Sequence, residues 1–187
     1  MRRSSAPTRA SPTKRSRKRS VARNPRQKTH THRRSHVRVI DIPSDAPVRL
    51  LVARWCLDEW AHLFPDDTEQ WYLDMYADAD STGDRPPHAL VAIDGDEVVG
   101  TASLVPDDDL PGATEPGPWL AAVYVLPTHR GRGTGRMLVN AVMNRVASDM
   151  WLYTEDEMTW YESMGWSRVR DSELNGRRVT VMHWRPD

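Results

Sequence analysis

The chain has very little cysteine: Cys56 is the only one among 187 residues. A single thiol cannot form a disulfide within the chain, and it cannot supply a multi-cysteine metal site. Cys56 lies in an apolar helical stretch, so we expect a small core residue. Long apolar runs are missing too, because no segment approaches 18 consecutive apolar residues, and a membrane-spanning helix is therefore not expected. No apolar segment follows Arg2-Arg3, so that pair is not an export signal, and we expect a cytoplasmic protein.

Acidic residues are absent from the first 36 positions. Residues 1–36 contain 13 Lys/Arg, whereas residues 37–187 hold the other 13 and all 26 Asp/Glu. The formal net charge of zero therefore conceals a basic segment joined to a segment of net charge −13. Residues 1–36 also lack aromatic residues and have few aliphatic ones, so they bury too little apolar surface to offset chain entropy. We expect a disordered basic tail at 1–36 and one domain at 37–187.

The basic tail has three interpretations. It could bind nucleic acid or another anionic surface, since clustered Lys and Arg provide the required charge. It could also be a solvated tail without a partner, or an upstream extension from a misplaced translation start, with Val21 and Val37 as alternative starts. The lack of aromatic residues among the cations favours the second and third interpretations.

Within 37–187, periodicity and turn residues predict the order β-α-α-β-β-β-α-β-α-β-β. Asp94-Gly95 and Asn175-Gly176 are typical of hairpin turns, and Thr154 with Glu157 forms a capping-box pattern before a helix that should stop at Gly165. The predicted strands are 37–42, 89–93, 98–104, 119–125, 151–153, 166–173 and 178–184, and the helices start near 44, 68, 134 and 154.

The most informative segment is the glycine-rich turn Arg130-Gly131-Arg132-Gly133-Thr134-Gly135, between the apolar strand 119–125 and the helix 134–147. Its spacing is neither the G-x-G-x-x-G dinucleotide pattern nor a Walker loop. Free N–H groups and the dipole at a helix N-terminus favour an anion, and glycine allows close approach. The alternative is a flexible Gly/Arg turn. Because a strand precedes the turn and a helix follows at once, we favour a pyrophosphate site.

Two motifs at their expected separation resemble the GNAT family of N-acetyltransferases. Val125–Gly135 is similar to the family's acyl-CoA motif, a strand end followed by Arg/Gln-x-x-Gly-x-Gly/Ala. The run Trp160–Trp166 is similar to its second motif, aromatic-Tyr-x-x-x-Gly-aromatic. The resemblance covers about 37–187 and implies an α/β (α+β) fold. That fold is a mixed, mostly antiparallel seven-stranded sheet flanked by four helices, with strands 4 and 5 splayed to hold acyl-CoA.

The resemblance also implies a donor site for acetyl-CoA. The backbone of Val123 and Val125 would bind the pantetheine arm, and Tyr161 would protonate the departing thiolate, because a phenol is protonated at neutral pH. The alternative for Tyr161 is an aromatic residue packed on the sheet. The pyrophosphate would be held by the turn and its flanking arginines: Arg130, Gly131, Arg132, Gly133, Thr134, Gly135 and Arg136.

The acceptor side carries less information. Many relatives have a glutamate on the strand that spans 119–125 here, but this strand reads Trp-Leu-Ala-Ala-Val-Tyr-Val. The run 107–109 is three aspartates, and we expect Asp109 to attract the amine or to act through water. Glu115 is a second candidate, and a solvated acidic loop is the alternative. Tyr124 is expected to line the acceptor side. The histidines have no metal-ligand spacing, so no metal site is predicted.

The sequence therefore predicts an N-acetyltransferase, a monomer or homodimer. It would transfer acetyl from acetyl-CoA to a primary amine of a small molecule or peptide, by direct attack in a ternary complex. Two alternatives stay open: a non-catalytic acyl-CoA-binding sensor, and a nucleic-acid- or ribosome-associated protein tethered by its basic tail. The sequence does not identify the amine.

Overall fold

The computed structural model describes residues 36–81, 83 and 85–186. In that part the elements follow the order predicted from the sequence. The prediction of a disordered tail concerns residues that, apart from His36, lie outside the described part. The strands are β1 (Val37–Asp41), β2 (His88–Asp94), β3 (Glu97–Val105), β4 (Trp119–Val125), β5 (Met150–Thr154), β6 (Ser167–Leu174) and β7 (Arg177–Trp184). The helices are α1 (Ala46–Trp60), α2 (Glu69–Ser81), α3 (Thr134–Met143) and α4 (Met158–Glu162).

The strands form one sheet in the order β1-β2-β3-β4-β5-β7-β6. Every neighbouring pair is antiparallel except β4 and β5, which are parallel. These two strands share a single paired position, Trp119 with Trp151, next to a hydrogen bond from the Trp151 N–H to the Pro118 carbonyl (3.0 Å). Beyond it they diverge. The predicted mixed, mostly antiparallel sheet with a splayed fourth and fifth strand is therefore confirmed.

Local chemistry explains the hairpins. Asn175 and Gly176 both have positive φ, 48° and 78°, as a type I′ turn requires. The β2–β3 turn uses Gly95 and Asp96, one residue later than the Asp94-Gly95 pair, and Gly95 has φ 65°. Each turn fixes the register of the strands it joins.

Two helices are shorter than the periodicity suggests. α3 ends at Met143 rather than near 147, because the N–H groups of Arg145 and Val146 bond to carbonyls only three residues back. The Thr154 hydroxyl accepts a hydrogen bond from the Glu157 N–H (3.2 Å), as a capping box requires, but α4 begins only at Met158. The predicted cap is therefore a turn that precedes the helix.

The core packs on both faces of the sheet. On one face α3 covers a cluster that includes Leu90, Leu138 and Leu152, and on the other α1 and α2 cover a cluster that includes Cys56 and Tyr76. Cys56 is fully buried, as predicted, and burial raises the pKa of its thiol to about 12. Among the described residues, no helix is long and apolar enough to cross a membrane.

Candidate active site

A cleft of about 680 Å³ opens where β4 and β5 diverge. One side, the glycine half, is formed by the end of β4, the glycine-rich turn, the start of α3, and α4. The other side, the loop half, is formed by the end of α1, the β3–β4 loop and the end of β5. The glycine half includes Val123, Val125, Arg130, Gly131, Gly133, Gly135, Arg136, Trp160 and Tyr161, and the loop half includes Glu59, Trp60, His62, Leu63, Phe64, Asp108, Tyr153 and Glu155.

A bulge in β4 helps to open the cleft. Ala122 has φ 52°, and the β3–β4 register shifts between Thr101 and Ser103. A bulge bends its strand and increases the local twist, which turns β4 away from β5. Val123 and Tyr124 follow the bulge directly and line the cleft.

The turn before α3 depends on glycine for its backbone conformation. Gly131 and Gly133 have φ 72° and 87°, and a Cβ at either would meet no atom within 4 Å. Gly133 is the N-cap of α3, without a side-chain capping bond, and its carbonyl accepts the first helical hydrogen bond from Met137 (3.0 Å). The N–H groups of the first helical turn therefore have no partner within the helix, and the helix dipole adds positive potential there.

Gly135 has a different role. A Cβ at this position would lie 3.2 Å from Cζ2 of Trp160, closer than ordinary van der Waals contact. The lack of a side chain at Gly135 lets α3 pack against Trp160, which joins the two motifs singled out in the sequence. Trp160 in turn packs edge-on against Tyr161, with 4.8 Å between the ring centroids.

Two of the three arginines around the turn are engaged in contacts within the chain. Arg130 donates from Nε to the Val125 carbonyl (2.8 Å), lies 3.6 Å from a Glu59 carboxylate oxygen and stacks on Tyr124, 5.5 Å from the ring centroid. Arg136 donates to the Ser163 carbonyl (3.2 Å) and hydroxyl (2.7 Å).

The remaining predicted residues of the turn do not line the cleft. Arg132 is exposed and has no ion pair or hydrogen bond within the described part of the chain, so its charge is unmatched there. Thr134 is buried, with 2% of its surface exposed. Thr134 can therefore offer an anion only its backbone N–H.

Tyr161 lies in the wall of the cleft. It is 8% exposed, and its ring lies between those of Trp160 and Trp166, 4.8 and 5.9 Å away. Burial, helped by the carboxylate of Glu157, raises the pKa of Tyr161 above the ordinary value. The phenol is therefore protonated at neutral pH, and the same burial makes it a weaker acid than a free phenol.

Of the three aspartates, the structure brings Asp108, rather than the predicted Asp109, to the cleft. Asp109 is exposed, has φ 49° and donates its N–H to the Asp107 carboxylate (3.2 Å). Asp108 is partly buried, and the Tyr153 hydroxyl donates to its main-chain carbonyl (3.2 Å). Burial, followed by repulsion from Asp109, raises the pKa of the Asp108 carboxyl well above its ordinary value.

Glu115, the second acidic candidate, lies away from the cleft. Its carboxylate accepts two hydrogen bonds from the Arg170 guanidinium (2.8 and 2.9 Å), and its side chain is 8% exposed. The hydrogen bonds from Arg170 lower the pKa of Glu115 to about 2, although burial opposes them. A carboxylate held ionised in this way is a poor proton acceptor.

Sequence reasoning did not find most of the loop half. Trp60 and Phe64 fit the apolar pattern of α1 and its end, and nothing local marks them as cleft residues. Glu155 accepts hydrogen bonds from His62 (2.6 Å) and Arg177 (2.9 Å). Burial acts to raise the pKa of Glu155, but these two bonds outweigh it and the net shift is downward. Within the described residues, no group of three or more His, Cys, Asp or Glu is placed to hold a metal ion.

With this geometry in place, comparison with known proteins gives the family. Residues 50–166 match the acetyltransferase (GNAT) family. The chain belongs to the GNAT family of acetyltransferases. No curated protein matches the sequence.

Solved GNAT structures share the fold over most of the described domain. An aminoglycoside 6'-acetyltransferase type Ii is 21% identical at a TM-score of 0.59, covering 80% of this chain and 98% of that one. A ribosomal-protein-alanine N-acetyltransferase from Brucella melitensis is 19% identical at a TM-score of 0.60, and the match covers 79% of this chain and 99% of that one. An aminoglycoside 6'-N-acetyltransferase complexed with coenzyme A is 16% identical at a TM-score of 0.59, and the match covers 80% of this chain and 99% of that one.

Proposed function

We propose that this GNAT acetyltransferase transfers the acetyl group of acetyl-CoA to a primary amine by direct attack in a ternary complex. The observation that carries the proposal is one shared cleft. The partnerless N–H groups at the start of α3, the protonated Tyr161 and the partly buried Asp108 carboxylate all border it. Donor, proton donor and acceptor can therefore meet in the gap between β4 and β5.

On the donor side, the backbone N–H groups from Gly131 to Arg136 would hold the pyrophosphate, with Arg132 adding unmatched charge. The backbone of Val123 and Val125 would bind the pantetheine arm. The Val125 carbonyl already accepts one bond from Arg130, so one lone pair is left for the donor. A β4 N–H directed at the thioester oxygen would polarise the carbonyl as negative charge develops there.

The chemistry is a thioester aminolysis. The nitrogen of the neutral amine forms a bond to the acetyl carbon while the carbon–sulfur bond breaks, and Tyr161 donates its proton to the leaving thiolate. The nitrogen loses one proton as the amide forms, and this proton restores the Tyr161 phenol. Most of the rate enhancement would come from orientation, since both reactants are held in one cleft. Two structural relatives are named for acetylating amines, an aminoglycoside and a ribosomal-protein alanine, which supports an amine acceptor here.

The test is to combine binding with turnover in the full chain. Calorimetric titration with acetyl-CoA should give saturable binding, and a panel of primary amines should cause amine-dependent release of the CoA thiol. Binding without release for any amine would favour the acyl-CoA sensor instead. A chain that does not bind acetyl-CoA would overturn the proposal.

A further inference from the structure

The loop half of the cleft holds carboxylates in two different states. Glu59 lies 3.6 Å from the Arg130 guanidinium, and Glu155 is bonded to His62 and Arg177. The cations of the chain itself therefore already match these two carboxylates. Among the described residues Asp108 has no cationic partner, although it lines the same half and is partly buried.

Both acidic and aromatic residues surround Asp108. Asp67, Asp107 and Asp109 do not line the cleft, but after burial their negative charges raise the pKa of Asp108, and they strengthen the attraction for one ammonium group at this place. Trp60, Phe64 and Tyr153 line the cleft, and all three pack against one buried cluster that includes Leu63 and Trp119. Aromatic faces attract a cation, and apolar walls favour an apolar body removed from water. The other partly buried carboxylate of the loop half, Glu155, and the neighbouring Glu59 are already paired, so a second ammonium group beside them would also meet the charges of Arg130 and Arg177.

We infer that the acceptor is a monoamine, with a single primary ammonium at Asp108 and an apolar body against Trp60 and Phe64. This inference rests on the proposed function and names its substrate class. Asp156 and Glu157 also line the cleft, but both are solvent-exposed, where water and salt weaken their attraction for a second cation. The inferred acceptor therefore carries one positive charge, whereas a polyamine carries two or more.

Asp108 also completes the proton balance. The bound ammonium gives one proton to the Asp108 carboxylate, and the neutral amine then attacks the acetyl carbon. As the amide forms, the nitrogen loses its second proton, which replaces the one that Tyr161 gives to the thiolate. The products are the N-acetylated amine, CoA thiol and one proton, which Asp108 releases to solvent.

A matched pair of substrates tests the acceptor class. Hexylamine and 1,6-diaminohexane have the same carbon chain and differ only in the second ammonium group. We expect kcat/KM, measured by thiol release, to be at least about ten-fold higher for hexylamine, because the diamine loses apolar burial and gains repulsion. An equal or higher kcat/KM for the diamine would overturn the inference.

Two substitutions test where the amine binds. Phe64→Ala should lower kcat/KM for hexylamine about ten-fold and leave the acetyl-CoA Kd unchanged, whereas Trp71→Ala, at an exposed aromatic on α2 outside the cleft, should change neither. Asp108→Asn should weaken hexylamine binding without weakening acetyl-CoA binding. If Phe64→Ala and Asp108→Asn both leave hexylamine kinetics unchanged, the inference is wrong.

Calorimetric binding of both amines to the CoA-loaded protein separates this inference from the proposed function. Tighter binding of hexylamine without turnover of any amine would support the acceptor class while overturning the proposed function. Turnover that favours 1,6-diaminohexane would support the function and overturn the acceptor class. A lack of both binding and turnover for every amine would overturn both.

Discussion

The two halves of the cleft are built in different ways. The glycine half comes mainly from one continuous segment, the end of β4, the turn and the start of α3, and offers backbone N–H groups. The loop half collects side chains from three segments distant in sequence: 59–64, Asp108 and 153–157. Recognition by backbone N–H groups depends on the conformation of the main chain, whereas recognition by side chains depends on which residue stands at each position. The glycine half should therefore be sensitive to loss of glycine, and the loop half to changes of side chain.

The largest effect is expected at Gly133. Gly133→Val forces a β-branched residue into φ 87° and displaces the N–H groups of the turn. Losing two charge-assisted hydrogen bonds at about 1.5–3 kcal/mol each should weaken acetyl-CoA binding about a thousand-fold. Gly176→Val is the matched control, because Gly176 has φ 78° and is equally open, but lies in the β6–β7 turn. Calorimetry that finds equal acetyl-CoA affinity in both variants would refute a backbone cradle.

A substitution at Tyr161 tests whether the glycine half also takes part in chemistry. Tyr161→Phe should lower kcat about a hundred-fold, at the low end of the range for a general acid, with little change in acetyl-CoA Kd. Tyr72→Phe is the control, since Tyr72 is a buried tyrosine outside the cleft that donates to Asp67. Unchanged turnover in Tyr161→Phe would remove the acid role and leave Tyr161 as a packed aromatic.

Two carboxylates near the β3–β4 loop should affect stability in opposite directions. The raised pKa of Asp108 means that the folded chain binds more protons than the unfolded chain, so its contribution to stability falls as pH rises above the ordinary aspartate range. Asp108→Asn should therefore increase the free energy of unfolding at pH 7 by on the order of 1 kcal/mol, with a smaller gain near pH 4.

The contribution of Glu115 to stability has the opposite pH dependence to that of Asp108. Its pKa is lowered from 4.5 to about 2, so the stabilisation is complete above pH 4.5 and is lost as pH falls towards 2. Glu115→Gln should cost about 1–2 kcal/mol at pH 7, after allowance for solvent around Arg170. Urea unfolding of both variants between pH 4 and 8 checks the pair. If both substitutions changed stability with the same sign, the assignment of the two environments would be wrong.

The smallest changes in binding and kinetics are expected for Arg130→Gln and Arg132→Gln, and these two variants should differ in which substrate they affect. Arg132→Gln should weaken acetyl-CoA binding about three-fold at low salt and less at high salt, because its exposed charge acts at a distance. Arg130→Gln should also change kcat/KM for the amine about three-fold, since Arg130 connects the Val125 carbonyl, Tyr124 and Glu59. Amine kinetics that respond to Arg132→Gln but not to Arg130→Gln would contradict this assignment.

What the sequence could predict follows from which features are local. The order of elements along the chain and the hairpins depend on turn residues a few positions apart, and the glycine-rich turn is continuous, so pattern alone located them. The seven-stranded sheet with splayed fourth and fifth strands was implied by the family resemblance. The length of α3 was overestimated because Val146 fits its apolar face, although its N–H closes a three-residue turn. Asp108 could not be distinguished from Asp109, because a loop has no periodicity and the positive φ at Asp109 does not follow from residue type.

The loop half was hidden for a further reason. Trp60 satisfies the apolar pattern of α1 and Phe64 follows the end of that helix, and both pack against a buried cluster while lining the cleft. Partial burial of this kind has no sequence signature of its own. The proposed roles of Tyr161, Asp108 and the turn residues stay predictions until the variants are measured.

The single paired position between β4 and β5 has a consequence for solubility. Beyond Trp119 and Trp151, each strand has an edge without a partner strand in the interior of the sheet. Unpaired edges normally invite strands from other molecules and lead to aggregation. Here the two edges border the cleft, whose lining also includes Glu59 and Trp60 at the end of α1 and Trp160 and Tyr161 in α4. We expect these helix residues to obstruct a strand from a second chain, whereas a small ligand has room in the cleft of about 680 Å³.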